Sequence, residues 1–93
     1  MISTASVLRV AGDVRFRAVP PETVVVRQAA AEVMVLSEVA GAILERLDAR
    51  RPLDAVVDDL LPRYDTDRAT LERDVLAFAA ELVSAGIAEL AAP

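Results

Sequence analysis

The run Val33-Met34-Val35-Leu36 constrains this chain's fold more than any other stretch. Apolar residues with β-branched members at this density suit a strand. Ser37 follows directly and suits the cap of a helix reaching about Leu47. A surface strand of a small antiparallel sheet ordinarily alternates apolar and polar residues. Here both faces are apolar, so something must cover the second face or pair with the strand's edge.

The preceding residues supply the sheet. Val14 to Val19 alternates, with Val14, Phe16 and Ala18 on one face and Arg15 and Arg17 on the other, which predicts a half-buried strand. Pro20-Pro21-Glu22 stops it, because a proline gives a ladder no N–H. Thr23 to Arg27 is a second strand, β-branched through its middle, and Gln28 to Ala31 is a connector without Gly or Pro. Three short strands with short links predict an antiparallel meander in chain order. That order leaves Val33–Leu36 on an edge. Residues 1–13 are set apart from a domain spanning residues 14–90. They read either as a flexible end or as a short extended piece at Val7–Val10 with a turn at Gly12-Asp13.

Three helices follow. In the first, about Glu38 to Leu47, Val39, Ile43, Leu44 and Leu47 have the spacing of a buried face, while Ala40, Gly41 and Ala42 suit close packing. Asp48 to Arg51 reads as a loop, and Pro52 suits the first position of a second helix over about 53–63, ending near Pro62. Asp65, Thr66 and Asp67 are alternative caps for a third helix, about Arg68 to Ala85. Leu71, Val75, Phe78 and Leu82 form one apolar stripe on it, and Leu76, Ala79 and Val83 an adjacent one. Gly86 suits the left-handed position that ends such a helix, with Ile87 placed for a Schellman-type contact. Ile87 to Leu90 suits a little more extended structure, and Ala91 to Pro93 should fray. The expected fold is α+β: a three-stranded antiparallel sheet followed by three helices, like a winged helix-turn-helix.

Composition narrows the chemistry. The chain is 55% apolar, well outside the disordered range, and its 93 residues fit one domain. It has neither Cys nor His, which removes disulfides, thiol nucleophiles, imidazole acid–base catalysis and the commonest zinc ligands. Ser37 and the threonines have no His to activate them, and no Gly-rich phosphate loop is present. Asp54, Asp58 and Asp59 read as a solvated face. Asp65-Thr66-Asp67 opens like a calcium loop, but Thr70 and Leu76 stand where the Gly and bidentate Glu belong. The expectation is a non-enzyme without cofactor or metal. No apolar run approaches the length of a membrane span and no secretory signal is visible, so a cytoplasmic protein is the simplest expectation.

Net charge is −5, carried unevenly: residues 1–31 balance at +2 and residues 32–93 at −7. An acidic chain is a poor partner for nucleic acid or an anionic membrane. A DNA-reading helix needs basic and amide side chains. The third helix instead sets Arg68 and Arg73 against Asp67, Glu72, Asp74 and Glu81, and the chain has no Asn and one Gln. A winged-helix regulator or a protein scaffold is therefore the alternative reading. A homodimer pairing edge with edge is a further one.

The order and spacing of several pieces across about Arg15 to Leu90 resemble the PqqD family of leader-peptide-binding domains, the RiPP recognition elements. The pieces are Val14-Arg15-Phe16-Arg17; Glu32-Val33-Met34-Val35-Leu36-Ser37-Glu38-Val39-Ala40; Ile43-Leu44-x-x-Leu47-Asp48; Leu53-x-x-Val56-Val57-x-x-Leu60; and Asp74-Val75-x-x-Phe78-x-x-x-Leu82-x-x-x-Gly86-Ile87. The chain departs from the family pattern in having Ser37 for a frequent Asn, Ala49 for a frequent Gly, and Pro52 for a frequent Ser or Thr. The resemblance implies a winged-helix-like domain that makes no covalent bond. It holds the leader of a ribosomally made precursor peptide and presents the peptide to a modifying enzyme, often a radical-SAM protein. The leader is expected to add as a strand to the edge at Val33, Met34, Val35 and Leu36, against the third helix. Arg68, Leu71, Glu72, Val75 and Ala79 are the candidate helix contacts. Core packing competes as the role of Leu71, Phe78 and Leu82.

Overall fold

The meander forms, with longer strands than the spacing required. The computed structural model describes residues 2–91; of the C-terminal residues expected to fray, 92 and 93 lie outside them. Strands β2 (Val14–Val19), β3 (Glu22–Arg27) and β4 (Glu32–Leu36) make one antiparallel sheet in the order β2-β3-β4. Its register pairs Phe16 with Val25 and Val25 with Met34. Cross-strand partners share a face, so Phe16, Thr23, Val25, Met34 and Leu36 all face the helices. Val25 is fully buried.

A second sheet stands beside it, built from the extended pieces expected at Val7–Val10 and Ile87–Leu90 and from a third strand that the sequence does not announce. Strand β1 (Val7–Val10) is the centre of a three-stranded sheet, between β5 (Asp48–Pro52) and β6 (Ala88–Leu90). Residues 48–51, expected as a loop, are thus strand. Asp48 Oδ1 accepts from the N–H groups of Arg50 and Arg51, both at 2.9 Å, and Ala49 takes a positive φ of 64°. Those features shape an irregular strand without apolar alternation, and the β1 pairing shifts register there. Ala91, expected to fray, donates its N–H to Val7 O at 2.9 Å.

The helices fall close to expectation. Helix α1 spans Glu38–Glu45, with Ser37 Oγ accepting from the Ala40 N–H. Helix α2 spans Leu53–Leu60 and runs into a single 3₁₀ turn at Leu61–Arg63, where Pro62 breaks the α-helical bonding. Pro52 stands at the cap of α2, one residue before the helix. It offers no side-chain acceptor. The N–H groups of Leu53 and Asp54 instead donate to the carbonyls of Ser6 and Thr4, both at 2.9 Å. Residues 4–6 therefore satisfy two of the orphan donors that any helix start leaves.

Helix α3 spans Arg68–Ser84, and Asp67 is its cap, accepting from the Thr70 N–H at 2.7 Å. It ends as expected. Gly86 has φ 77°, Gly86 N–H donates to Val83 O, and Ile87 N–H donates to Leu82 O. That pair of bonds is the Schellman motif. The core lies between the two sheets and the three helices. Leu8, Val25, Ile43, Leu44, Leu53, Val56, Val57, Leu60, Val75 and Ile87 are all buried in it.

Candidate functional site

The sheet β2-β3-β4 has two edges, β2 and β4. They differ in chemistry. β2 carries Arg15 and Arg17 and runs into Pro20-Pro21, devices that commonly blunt an edge. β4 carries Val33 and Val35, exposed at 68% and 57% of their surface. From Val33 to Leu36 it carries no charge and no proline.

Ladder geometry fixes what the β4 edge offers. Gln28 N–H donates to Asp13 O at 3.0 Å, extending the β2–β3 register by one pair. In an antiparallel ladder the main-chain groups of successive residues turn to opposite sides. Thr23, Val25 and Arg27 therefore turn their N–H and C=O groups toward β4, onto Leu36, Met34 and Glu32. Val33 and Val35 are left with their N–H and C=O groups turned to the open side, two donors and two acceptors along the edge. Their side chains stand on the outer face, while those of Met34 and Leu36 turn inward and are half-buried.

Beside that edge runs a groove of about 280 Å³. Met34, Val35, Leu36 and Ala40 line one wall, and Phe78, Leu82 and Ala85 of α3 line the other. Glu81 is the one charged side chain in the lining among the described residues. The groove exists because Ser37 turns the chain from β4 straight into α1, and because α3 faces β4 across it with Phe78 only partly covered. A wider hollow of about 580 Å³ lies under the β2–β3 turn, between Pro20, Pro21, Glu38, Glu45, Arg63 and Tyr64. Ala18, on the β2 edge, also lines it.

The expected contact residues divide. Val33, Met34, Val35 and Leu36 lie together along the edge and groove. On α3 the groove is met by Phe78, Glu81, Leu82 and Ala85. Leu71, Val75 and Ala79 are buried in the core. Arg68 binds Asp58 of α2 and stands 3.8 Å from Glu72, on the side of α3 turned to α2. The hydrogen bond to Asp58 holds the Arg68 guanidinium above its ordinary pKa. The groove wall follows the helical spacing 78-81-82-85, beside the buried stripe 71-75-79. Only the packing of α3 against its neighbours decides which stripe faces β4.

Two charged features brace the frame. Arg27, at the end of β3, donates from Nη1 to Glu32 Oε1 at 2.6 Å. Its guanidinium also lies over Gly86, where Nη2 is 2.8 Å from the place a Cβ would occupy. Its Nε is buried without a hydrogen-bond partner among the described residues. A cation at a helix C-terminus is favoured by the helix dipole, which offsets part of that cost. On α2, Asp58 and Asp59 pair with Arg68 and Arg46. The Arg46 hydrogen bond holds the Asp59 carboxyl below the usual range.

Comparisons with known proteins agree with this fold. The family model for coenzyme PQQ synthesis protein D (PqqD) matches residues 22–88, from the start of β3 to the start of β6. A protein of Rhizobium meliloti (strain 1021) named PqqA binding protein is 32% identical over 82 residues, covering 88% of this chain and 84% of that one. The solution NMR structure of the PqqD truncation of Methylobacterium extorquens PqqCD is described as a functional and stand-alone RiPP recognition element. It superposes with a TM-score of 0.79 at 26% identity, over 96% of this chain and 95% of that one. TbiB1 in complex with the TbiA(beta) leader peptide shares the fold, with a TM-score of 0.78 at 23% identity over 87% of this chain and 94% of that one. A match to the family model over most of the chain, with a relative of this identity and coverage, establishes that the chain belongs to the PqqD family.

Proposed function

We propose that this chain is a non-catalytic recognition module for the leader of a ribosomally made precursor peptide. It binds the leader as an added strand on β4 and presents the peptide to a modifying enzyme, such as a radical-SAM protein. The observation that carries this reading is the β4 edge: Val33 and Val35 turn free N–H and C=O groups outward beside an apolar groove. Strand addition uses such groups for affinity and the pockets beside them for side-chain selection. Family membership supports the same reading, since relatives are named for binding PqqA or for holding a leader peptide. A cytoplasmic site of action follows from the role, because the precursor is made on ribosomes.

The test is fluorescence anisotropy with a labelled synthetic leader from a short reading frame beside the gene, with a scrambled peptide and a DNA duplex as controls. Saturable binding at micromolar concentration or tighter, lost in Val35→Pro, is expected. The Val35 N–H faces the open edge, so proline there removes a donor to the peptide and none to β3. Circular dichroism checks that the variant stays folded. Binding that survives in folded Val35→Pro rules out strand addition. Salt-sensitive binding to the duplex instead would make the chain a regulator.

A further inference from the structure

We infer that the groove selects a leader carrying a Lys or Arg at a groove-facing position, next to an apolar one. The inference rests on the strand-addition reading and names the chemistry that reading selects. A strand added to β4 turns alternate side chains to the face shared by Met34 and Leu36, with successive inward positions roughly 7 Å apart. One inward side chain lies on the apolar floor of Phe78, Leu82 and Ala85. Its neighbour two residues along reaches the α3 rim.

That rim is acidic and unneutralised. Asp74, Phe78, Glu81 and Ala85 follow the 3-4 spacing of one helix face. Asp74 and Glu81 are exposed, and neither has an ion-pair partner among the described residues. Two arginines that could neutralise such a rim are occupied elsewhere: Arg68 is held by Asp58 and Arg27 by Glu32. A Lys or Arg side chain fits both parts of the site. Its methylene stem lies along the apolar wall and its charge reaches the rim. An acidic residue at the same position would face Glu81 as a like charge.

A display selection tests this without knowing the precursor. Random 12-residue peptides are selected against the wild-type chain, Glu81→Gln, Glu81→Lys and Val35→Pro, each checked for folding by circular dichroism. The wild type should enrich alternating apolar peptides with Lys or Arg at one inward position. Such a peptide should bind Glu81→Gln about threefold to fivefold more weakly, the scale of a partly exposed ion pair, and the difference should shrink as salt rises. Glu81→Lys should invert the preference to Asp or Glu at that position. Enrichment of the same alternating peptides with no charge preference, unchanged in Glu81→Lys, overturns the inference and leaves strand addition standing. Enrichment that does not depend on Val35 overturns strand addition and this inference with it.

Discussion

Gly41 of α1 lies against Thr23 of β3 with no room for a side chain between them. A Cβ at position 41 would sit 2.8 Å from Thr23 Cβ and nearer still to the Thr23 hydroxyl. Both residues are buried. This contact sets how closely α1 lies on the sheet, and therefore where the chain leaves β4. Gly41→Ala would ordinarily favour a helix, but here overlap with a packed strand dominates. We expect it to destabilise the fold by roughly 1–3 kcal/mol in urea unfolding. Thr23→Ala in the same background should recover only part of that stability, because the Cβ at position 23 remains in the way.

Leu8 carries the second prediction. It is 1% exposed, on the central strand of the sheet that joins the N-terminal residues to β5 and β6. Leu8→Ala should cost roughly 2–5 kcal/mol, the range for a buried Leu truncated to Ala. A flexible N-terminal segment would predict no change in the unfolding midpoint.

The third concerns pH. The Thr70 N–H bonded to Asp67 holds that carboxyl below its ordinary 3.8, and the N–H groups of Arg51 and Arg50 do the same for Asp48. A depressed carboxyl stabilises the fold above its unfolded pKa and loses that contribution as pH falls through the lower folded value. Stability should therefore be level above about pH 5 and fall below about pH 4. In Asp67→Asn the side chain still accepts from Thr70 but does not titrate. Thermal melts from pH 6 to pH 2.5 should show a shallower acid decline for this variant than for the wild type.

The fourth concerns the groove. Phe78 packs partly against the core and partly lines the open wall. Phe78→Ala should weaken binding of a peptide selected on the wild-type chain by about tenfold, consistent with removing roughly 1–2 kcal/mol of apolar burial from the complex. Val83→Ala, on the opposite side of α3, should leave binding within about twofold while lowering stability. Equal weakening in the two variants would mean that peptide binding follows overall stability and not the groove wall.

Most of the local structure is written in the chain. Alternation at Val14–Val19, prolines at 20 and 21, the Ser37 cap, Asp67 among its three candidates, and Gly86 with Ile87 each act within a few residues. Local sterics and local hydrogen bonds therefore suffice to read them, and the two-faced run Val33–Leu36 marks the edge. Val7–Val10 and Ile87–Leu90 are legible as short extended pieces, but their pairing into the sheet β5-β1-β6 is not, because its strands lie about forty residues apart in sequence and β5 lacks apolar alternation. Their pairing is decided by the closed core, where Leu8 and Ile87 are buried. The same limit applies to the groove. The chain offers two apolar stripes on α3, and both suit burial. Only the packing of α3 against α1, α2 and β6 turns Leu71, Val75 and Ala79 inward and leaves Phe78, Glu81 and Ala85 facing β4. Sequence alone determined most of the strands and helices and which strand stays open. Tertiary packing decided which helix face meets that strand, because a helix's rotation about its own axis is set by all its neighbours at once.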